Sequence, residues 1–239
     1  MVLFLKKNII LNAGNSGTLG RLILSLLIKS PYKIKIVGDK SLSKRDFYRV
    51  TKPLEKFGAK FHTKSGKLPI TINGTNNPKP IKYFEKKGSA QCKSAVMFAA
   101  LNTYGQTIIK AKKSRDHSEL LFRYLKLPIK VSKKKNFDLI KIKGKQSIKP
   151  LNYKIPSDIS SSAFFIVLTA LCSNSKLIIK NVNINPSRIG IIRILKMMGV
   201  KILFKNIKTL KGEKIADLSI KSATSLRAIK CPSKLNSSA

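Results

Sequence analysis

Residues 14–38 read GNSGTLGRLILSLLIKSPYKIKIVG. Small polar residues stand first, two of them glycines, and the apolar run ILSLLI follows with helical character. A turn with Ser and Pro comes next, and then a strand in which lysine alternates with isoleucine. The same order returns over residues 88–131, from GSAQCKSAVMFAALN to QTIIKAKK, and over residues 157–202, from SDISSSAFFIVLTALCSNS to KLIIKNV. Each copy continues through a polar loop that ends at an arginine, and then through a second amphipathic helix. The three arginines, Arg45, Arg115 and Arg188, are separated by 70 and 73 residues. Further alternating strands lie between the copies, at LPITING (68–74), DLIKIKG (138–144) and ADLSIKS (216–222). The unit is therefore helix–strand–helix–strand–strand with a period near 70. Strands alternating with helices predict an α/β architecture. The first copy begins at its helix, without the strand pair that precedes the other two, so the pattern is expected to be incomplete at both ends.

Composition narrows the function. Apolar residues make up 43% of 239 positions, which places the chain among globular proteins. The formal charge is +39, an excess that raises the question of a polyanion partner. Its distribution argues against one. Of the 49 basic residues only 8 are arginine, the longest run is KKK at 133–135, and tryptophan is absent. No aromatic cluster is interleaved with the lysines as a base-stacking surface requires, so no nucleic-acid partner is expected. AFFIVLTALC (163–172) is marked as a buried helix segment, too short to span a membrane, and no membrane partner is expected. The lysines of MVLFLKKNIIL follow a very short apolar stretch, the wrong order for a secretory signal. Cys92, Cys172 and Cys231 are odd in number and lack metal-ligand spacing, and neither His62 nor His117 has a second ligand close by in sequence. Reduced thiols, no metal and a cytoplasmic location are expected.

The chemistry concentrates at the helix starts GNSGT (14–18), GSAQ (88–91) and SDISSS (157–162). Small hydroxyl residues there accept orphan backbone N–H groups, and capping alone accounts for any single one of them. Gly14 and Gly17 exceed that need, because they let another group come close to the backbone. Converging helix starts with nearby arginines would suit a small substrate bearing phosphate and carboxylate groups.

These residues resemble the enolpyruvyl transferases, and within them the EPSP synthase family. The match runs in order through GNSGT with Arg21, GDKSLSKR (38–45), KPLEKFGA (52–59), GKLPITING (66–74), SAQCKSA (89–95), SRDHSE (114–119), PSDISSSAFF (156–165) and NPSRIGIIRILKMMG (185–199). The resemblance implies an inside-out α/β barrel plan, two domains of three βαβαββ units each, with residues 1–155 forming most of the first domain and 156–239 the first unit of the second. It implies transfer of the carboxyvinyl group of phosphoenolpyruvate to the 5-hydroxyl of shikimate 3-phosphate with release of phosphate, a step toward chorismate and the aromatic amino acids. It places phosphoenolpyruvate against Asn15, Gly17, Arg45 and Gln91, and shikimate 3-phosphate against Ser89, Ala90, Gln91, Ser114 and Arg115. Arg21 and Lys93 also match family positions, where a helix-face salt bridge is an equal reason for them. Asp158, Ser160 and Arg188 are expected to serve capping and interdomain packing. The acid/base groups of the family are expected outside residues 1–239, so the chain alone is expected to be inactive, and the complete enzyme monomeric. The alternatives are a UDP-N-acetylglucosamine enolpyruvyl transferase, which shares the fold but not the SAQxKSA and SRDH pair, and a basic nucleic-acid-binding module.

Overall fold

Alternation decides which face of each strand goes inward. In KIKIV the isoleucines 34 and 36 are fully buried while Lys33 and Lys35 point out, and in FDLIKIK the buried positions are Asp138, Ile140 and Ile142. A computed structural model describes residues 8–144, 148, 150–232 and 235. The elements run β1 (Asn8–Asn12), α1 (Gly17–Leu26), β2 (Lys33–Val37), α2 (Lys40–Ser43), α3 (Tyr48–Glu55), β3 (Lys60–Lys64) and β4 (Lys67–Asn73). Then come β5 (Lys82–Glu85), α4 (Ala90–Leu101), β6 (Gln106–Lys112), α5 (His117–Tyr124), β7 (Ile129–Lys133) and β8 (Phe137–Lys143). The last set is α6 (Ile159–Leu171), β9 (Lys176–Asn183), α7 (Gly190–Met197), β10 (Lys201–Leu210) and β11 (Glu213–Lys221).

The repeat is visible in the sheets. Strand order is β1-β2-β4-β3 in one, β5-β6-β8-β7 in the next and β10-β11-β9 in the third. In the first two, a leading strand pairs parallel with the strand after the helix, β1 with β2 and β5 with β6, and the remaining pairs are antiparallel. The described residues thus form an α/β fold of βαβαββ units. The sequence pattern omitted the leading strand, which β1 supplies before α1 and β5 before α4. In the third unit that place is taken by a single parallel bridge, Ser157 to Val182 of β9.

Two glycines set how closely strand meets helix. A Cβ on Gly74 would strike the backbone of Ser30 and the carbonyl of Ile28, just past α1. One on Gly144 would strike the carbonyls of Thr103 and Ala100, at the end of α4. The third unit has Ser222 there, whose N–H donates to the Ser175 carbonyl at 2.9 Å.

By contact the described residues fall into two units. One takes the residues up to Lys113 and Lys126–Ile148; the other takes Ser114–Leu125 and the residues from 150 onward. In the first unit α1 packs on α4. Helix α4, apolar all round, is buried on nearly every side, including Ala95, Val96, Met97, Ala99 and Ala100. In the second unit Ile159, Ile166 and Ala170 of α6 pack on Val182, Leu218 and Ile220 of the sheet and on Ile192 of α7. The sequence marks 163–172 as buried, and the structure corrects this. Only one stripe of α6 faces the sheet, and Phe164, Phe165, Leu168 and Leu171 are 59–79% exposed.

One lysine lies between two aromatic rings. The Lys110 ammonium lies 5.0 Å from the ring centroid of Phe84 and 4.3 Å from that of Phe137. Those rings hold an ammonium through cation–π attraction, and a base stacking there would have to displace it. Among the described residues, no helix is long and apolar enough to cross a membrane.

Candidate functional site

The first helix start is tied to a second loop. Gly14 has φ +53, its N–H donates to Asn12 Oδ1 at 2.9 Å, and Ser16 caps α1 by accepting from Leu19 N–H at 3.1 Å. Asn15 donates its side-chain amide to Asp39 at 2.6 Å, and the other oxygen of Asp39 accepts from Leu42 N–H at 2.7 Å. The loop before α1 is thereby joined to the loop that carries Arg45.

Gly17 opens α1 against that arginine. A Cβ at this position would stand 3.0 Å from Arg45 Nη1. Among the described residues the Arg45 guanidinium has no hydrogen-bond partner, and the residue is exposed. It is a free cation beside the first N–H groups of a ten-residue helix, where the helix dipole also favours an anion.

The second helix start meets the first. Gln91, in the first turn of α4, donates its side-chain amide to Thr18 Oγ1 at 2.9 Å and accepts from Arg21 Nη1 at 2.5 Å. Arg21 also donates to the Asp46 carbonyl at 3.0 Å, and its guanidinium lies 5.4 Å from the Phe47 ring centroid. Burial lowers the pKa of Arg21, and the neighbouring Arg49 and Arg45 lower it further. It remains a cation at neutral pH, in a patch with two other guanidiniums. Ser89 caps α4 by accepting from Cys92 N–H at 3.3 Å. The buried carboxylate of Glu85 accepts from the N–H groups of Lys87 and Ser89 at 3.1 and 2.8 Å. Arg49 Nε donates to Cys92 Sγ at 3.4 Å.

The first unit thus brings together Asn15, Gly17, Arg45 and Gln91, with Ser89 and Ala90 in the first turn of α4. Among the described residues Arg21 forms no helix-face salt bridge; its oxygen partners are the Gln91 amide and the Asp46 carbonyl. Lys93 is not on an open helix face either, since it is only 1% exposed.

Ser114 and Arg115 fall in the second unit. Ser114 Oγ is buried, with no hydrogen-bond partner among the described residues. Arg115 is held below the usual guanidinium range by burial and then by the charge of Arg188. The rest of that motif tethers α5. Asp116 accepts from Asn185 Nδ2 at 2.9 Å, and His117 Nδ1 meets Glu213 Oε1 at 2.5 Å. Burial pushes the Glu213 carboxyl up, but His117, Asn183 and Asn185 outweigh it and hold it below the ordinary carboxylate range. Asp158 caps α6 through Ser161 N–H at 3.0 Å, and Arg188 Nη2 donates to Asp158 at 2.7 Å and to Ser160 Oγ at 2.6 Å. For Asp158, too, burial raises the pKa and is outweighed, here by the Ser161 N–H and Arg188.

An ordered set of short motifs over these loops is what a family comparison tests. A sequence model of EPSP synthase (3-phosphoshikimate 1-carboxyvinyltransferase) matches residues 2–231. The chain belongs to the EPSP synthase family. A 3-phosphoshikimate 1-carboxyvinyltransferase of Caldicellulosiruptor bescii is 42% identical over 224 residues, covering 92% of this chain and 51% of the relative. One from Petrotoga mobilis is 41% identical over 225 residues, again 92% of this chain and 51% of the relative. A solved EPSP synthase from Acinetobacter baumannii superposes with a TM-score of 0.79 at 36% identity, covering 95% of this chain and 51% of that one. The chain therefore spans about half the length of the EPSP synthases it matches.

Four residues around these helix starts carry weight that sequence reasoning did not assign. Thr18 and Arg21 fix Gln91 from 73 and 70 positions away, Asp39 joins two loops, and Glu85 shapes the turn before α4. Thr18, Arg21 and Asp39 stood in or beside matched motifs, but their partners were not stated by them, and Glu85 had no signal. All four depend on partners that no local pattern reveals.

Proposed function

We propose that this chain supplies the phosphoenolpyruvate cradle and part of the shikimate 3-phosphate site of an enzyme that transfers a carboxyvinyl group. In that reaction the 5-hydroxyl oxygen of shikimate 3-phosphate bonds to C2 of phosphoenolpyruvate. The bond between C2 and the phosphate ester oxygen breaks, and phosphate leaves with that oxygen and, in the net balance, with the hydroxyl proton. No metal or organic cofactor enters this scheme.

One observation carries the reading: the starts of α1 and α4 meet through Gln91, Thr18 and Arg21, beside the unpaired Arg45. Two backbone N–H sets and a patch of guanidiniums suit a ligand with phosphate and carboxylate groups. Asn15, Gly17, Arg45 and Gln91 are assigned to phosphoenolpyruvate. Ser89, Ala90, Gln91, Ser114 and Arg115 are assigned to shikimate 3-phosphate. The domain boundary is placed at 155/156, and the complete protein is assigned as a cytoplasmic monomer.

Calorimetric titration of the purified chain with phosphoenolpyruvate and with shikimate 3-phosphate tests this, repeated with R45A and Q91A. Saturable binding that both variants weaken supports the assignment. Binding of any duplex DNA in preference to both metabolites, with affinity falling steeply as salt rises, would favour the basic-module alternative instead.

A further inference from the structure

At one end of the third sheet three lysines stand side by side. Lys201 of β10 faces Lys221 of β11, and Lys221 faces Lys176 of β9. All three are exposed, while their strand neighbours Ile202 and Ile220 are buried, so the row lies on the outer face. Like charges directly opposite each other across a sheet cost stability. Among the described residues none of the three ammonium groups has a hydrogen-bond or ion-pair partner. The nearest acid along β11, Asp217, already accepts from Asn181 N–H and from Asn206 Nδ2, each at 2.8 Å.

Helices α6 and α7 finish beside this row, and a helix C-terminus favours cations. Their last carbonyls are taken by other donors: Ala170 by Ala223 N–H at 3.2 Å, Met197 by Arg227 Nε at 2.7 Å and Met198 by Arg227 N–H at 3.1 Å. The lysines instead border a cavity of about 420 Å³, within the size range of small-molecule sites. The rest of its lining includes Asn174, Ser222 and Thr224, and no carboxylate. On the other side Lys201 and Lys221 edge a second cavity of about 430 Å³, whose walls include Val200, Ile202 and Leu203. A cleft lined by one sign of charge and flanked by apolar walls focuses its field on whatever enters.

We propose that the cleft along Lys176, Lys221 and Lys201 binds a small anion built from a chain of phosphate groups. Neighbouring strands lie about 4.8 Å apart, so the row spans about 10 Å, the reach of a linear triphosphate rather than of a single phosphate. The Ser222 and Thr224 hydroxyls and the Asn174 amide are further donors to its oxygens. The inference rests on the third sheet alone, and not on the substrate assignment.

The test treats the full 239-residue chain with an acetylating reagent, with and without tripolyphosphate, and reads each lysine by mass spectrometry. Sodium chloride at about 0.15 M screens diffuse attraction. With saturating tripolyphosphate, Lys176, Lys201 and Lys221 should react at least about 10-fold more slowly, while Lys33 and Lys35, outward on β2, are unchanged. In the double variant Lys201→Gln with Lys221→Gln, half-protection of Lys176 should need about 10-fold more tripolyphosphate. The same variant, relieved of the repulsion, should melt above the parent when no ligand is present. Should it fail to fold, labelling of the parent chain decides alone. Absence of slowing, or equal slowing at Lys33 and Lys35, overturns the proposal. So does a double variant that protects Lys176 at the parent's concentration, or duplex DNA that protects the three lysines at a lower phosphate concentration than tripolyphosphate. Loss of phosphoenolpyruvate binding leaves the proposal standing, because none of these lysines is assigned to that substrate.

Discussion

A methyl group on Gly17 would meet Arg45 Nη1, the far end of a flexible exposed side chain, at 3.0 Å. The side chain can swing away at little cost, so Gly17→Ala should change stability by less than about 0.5 kcal/mol. Moving Arg45 should raise the dissociation constant for phosphoenolpyruvate by about 10-fold, the loss of part of one charge-assisted bond. Thermal melting and calorimetry on the same sample check both halves. Arg21→Met keeps an apolar stem near Phe47 but releases Gln91. It should weaken shikimate 3-phosphate binding by about 1–3 kcal/mol, whereas Thr18→Val should cost less. In the second unit Asp158 and Glu213 both have folded pKa values below their ordinary ones. Their contribution to stability is complete above the ordinary carboxylate range, about pH 4, and is lost as pH falls through the lower folded values. Denaturant melts from pH 6 to pH 2 should show this loss, and Glu213→Gln should flatten it. Gly17 was legible because a second glycine beside a capping serine has no use unless something approaches the backbone, and Arg45 and Gln91 through the family motifs that contain them. Thr18 and Glu85 were not, since the first acts on a residue 73 positions away and the second on loop N–H groups.

At the scale of elements, alternation made the inner strands readable. KIKIV and LPITIN carry isoleucine or leucine inward at every second position, FDLIKIK does so at Ile140 and Ile142 after the buried Asp138, and each is a strand within a residue or two of its expected bounds. The leading strands β1, NIILN, and β5, KYFE, place apolar residues side by side and so display no period of two. Helix α6 was legible as a helix, but its all-round apolar composition states that it is buried and not by what. The glycine contacts give a sharper element-scale prediction. Gly144→Ala has nowhere to place its Cβ except against two carbonyl oxygens of α4's last turn, so strand and helix must separate. It should cost more than about 3 kcal/mol, as overpacking against backbone does, and Ser222→Gly should be nearly neutral by comparison. Leu24→Ala, in the wholly buried face of α1, should cost about 2–5 kcal/mol. Urea melts rank the three.

For the whole molecule, charge sets the solution behaviour. The chain carries 41 lysines against only 10 acidic residues, and in strands such as KIKIV the lysines take the outward positions, so that the sheet turns a row of ammonium groups to solvent. Mutual repulsion within such rows acts against compactness. Dissolved anions shorten its reach, from roughly 30 Å at 0.01 M salt to about 8 Å at 0.15 M. The melting midpoint should therefore climb as sodium chloride is added from 0.01 to 0.15 M, opposite in sign to a protein held together by superficial ion pairs. Dilute buffer, often chosen as the mildest storage condition, is for this molecule the harshest.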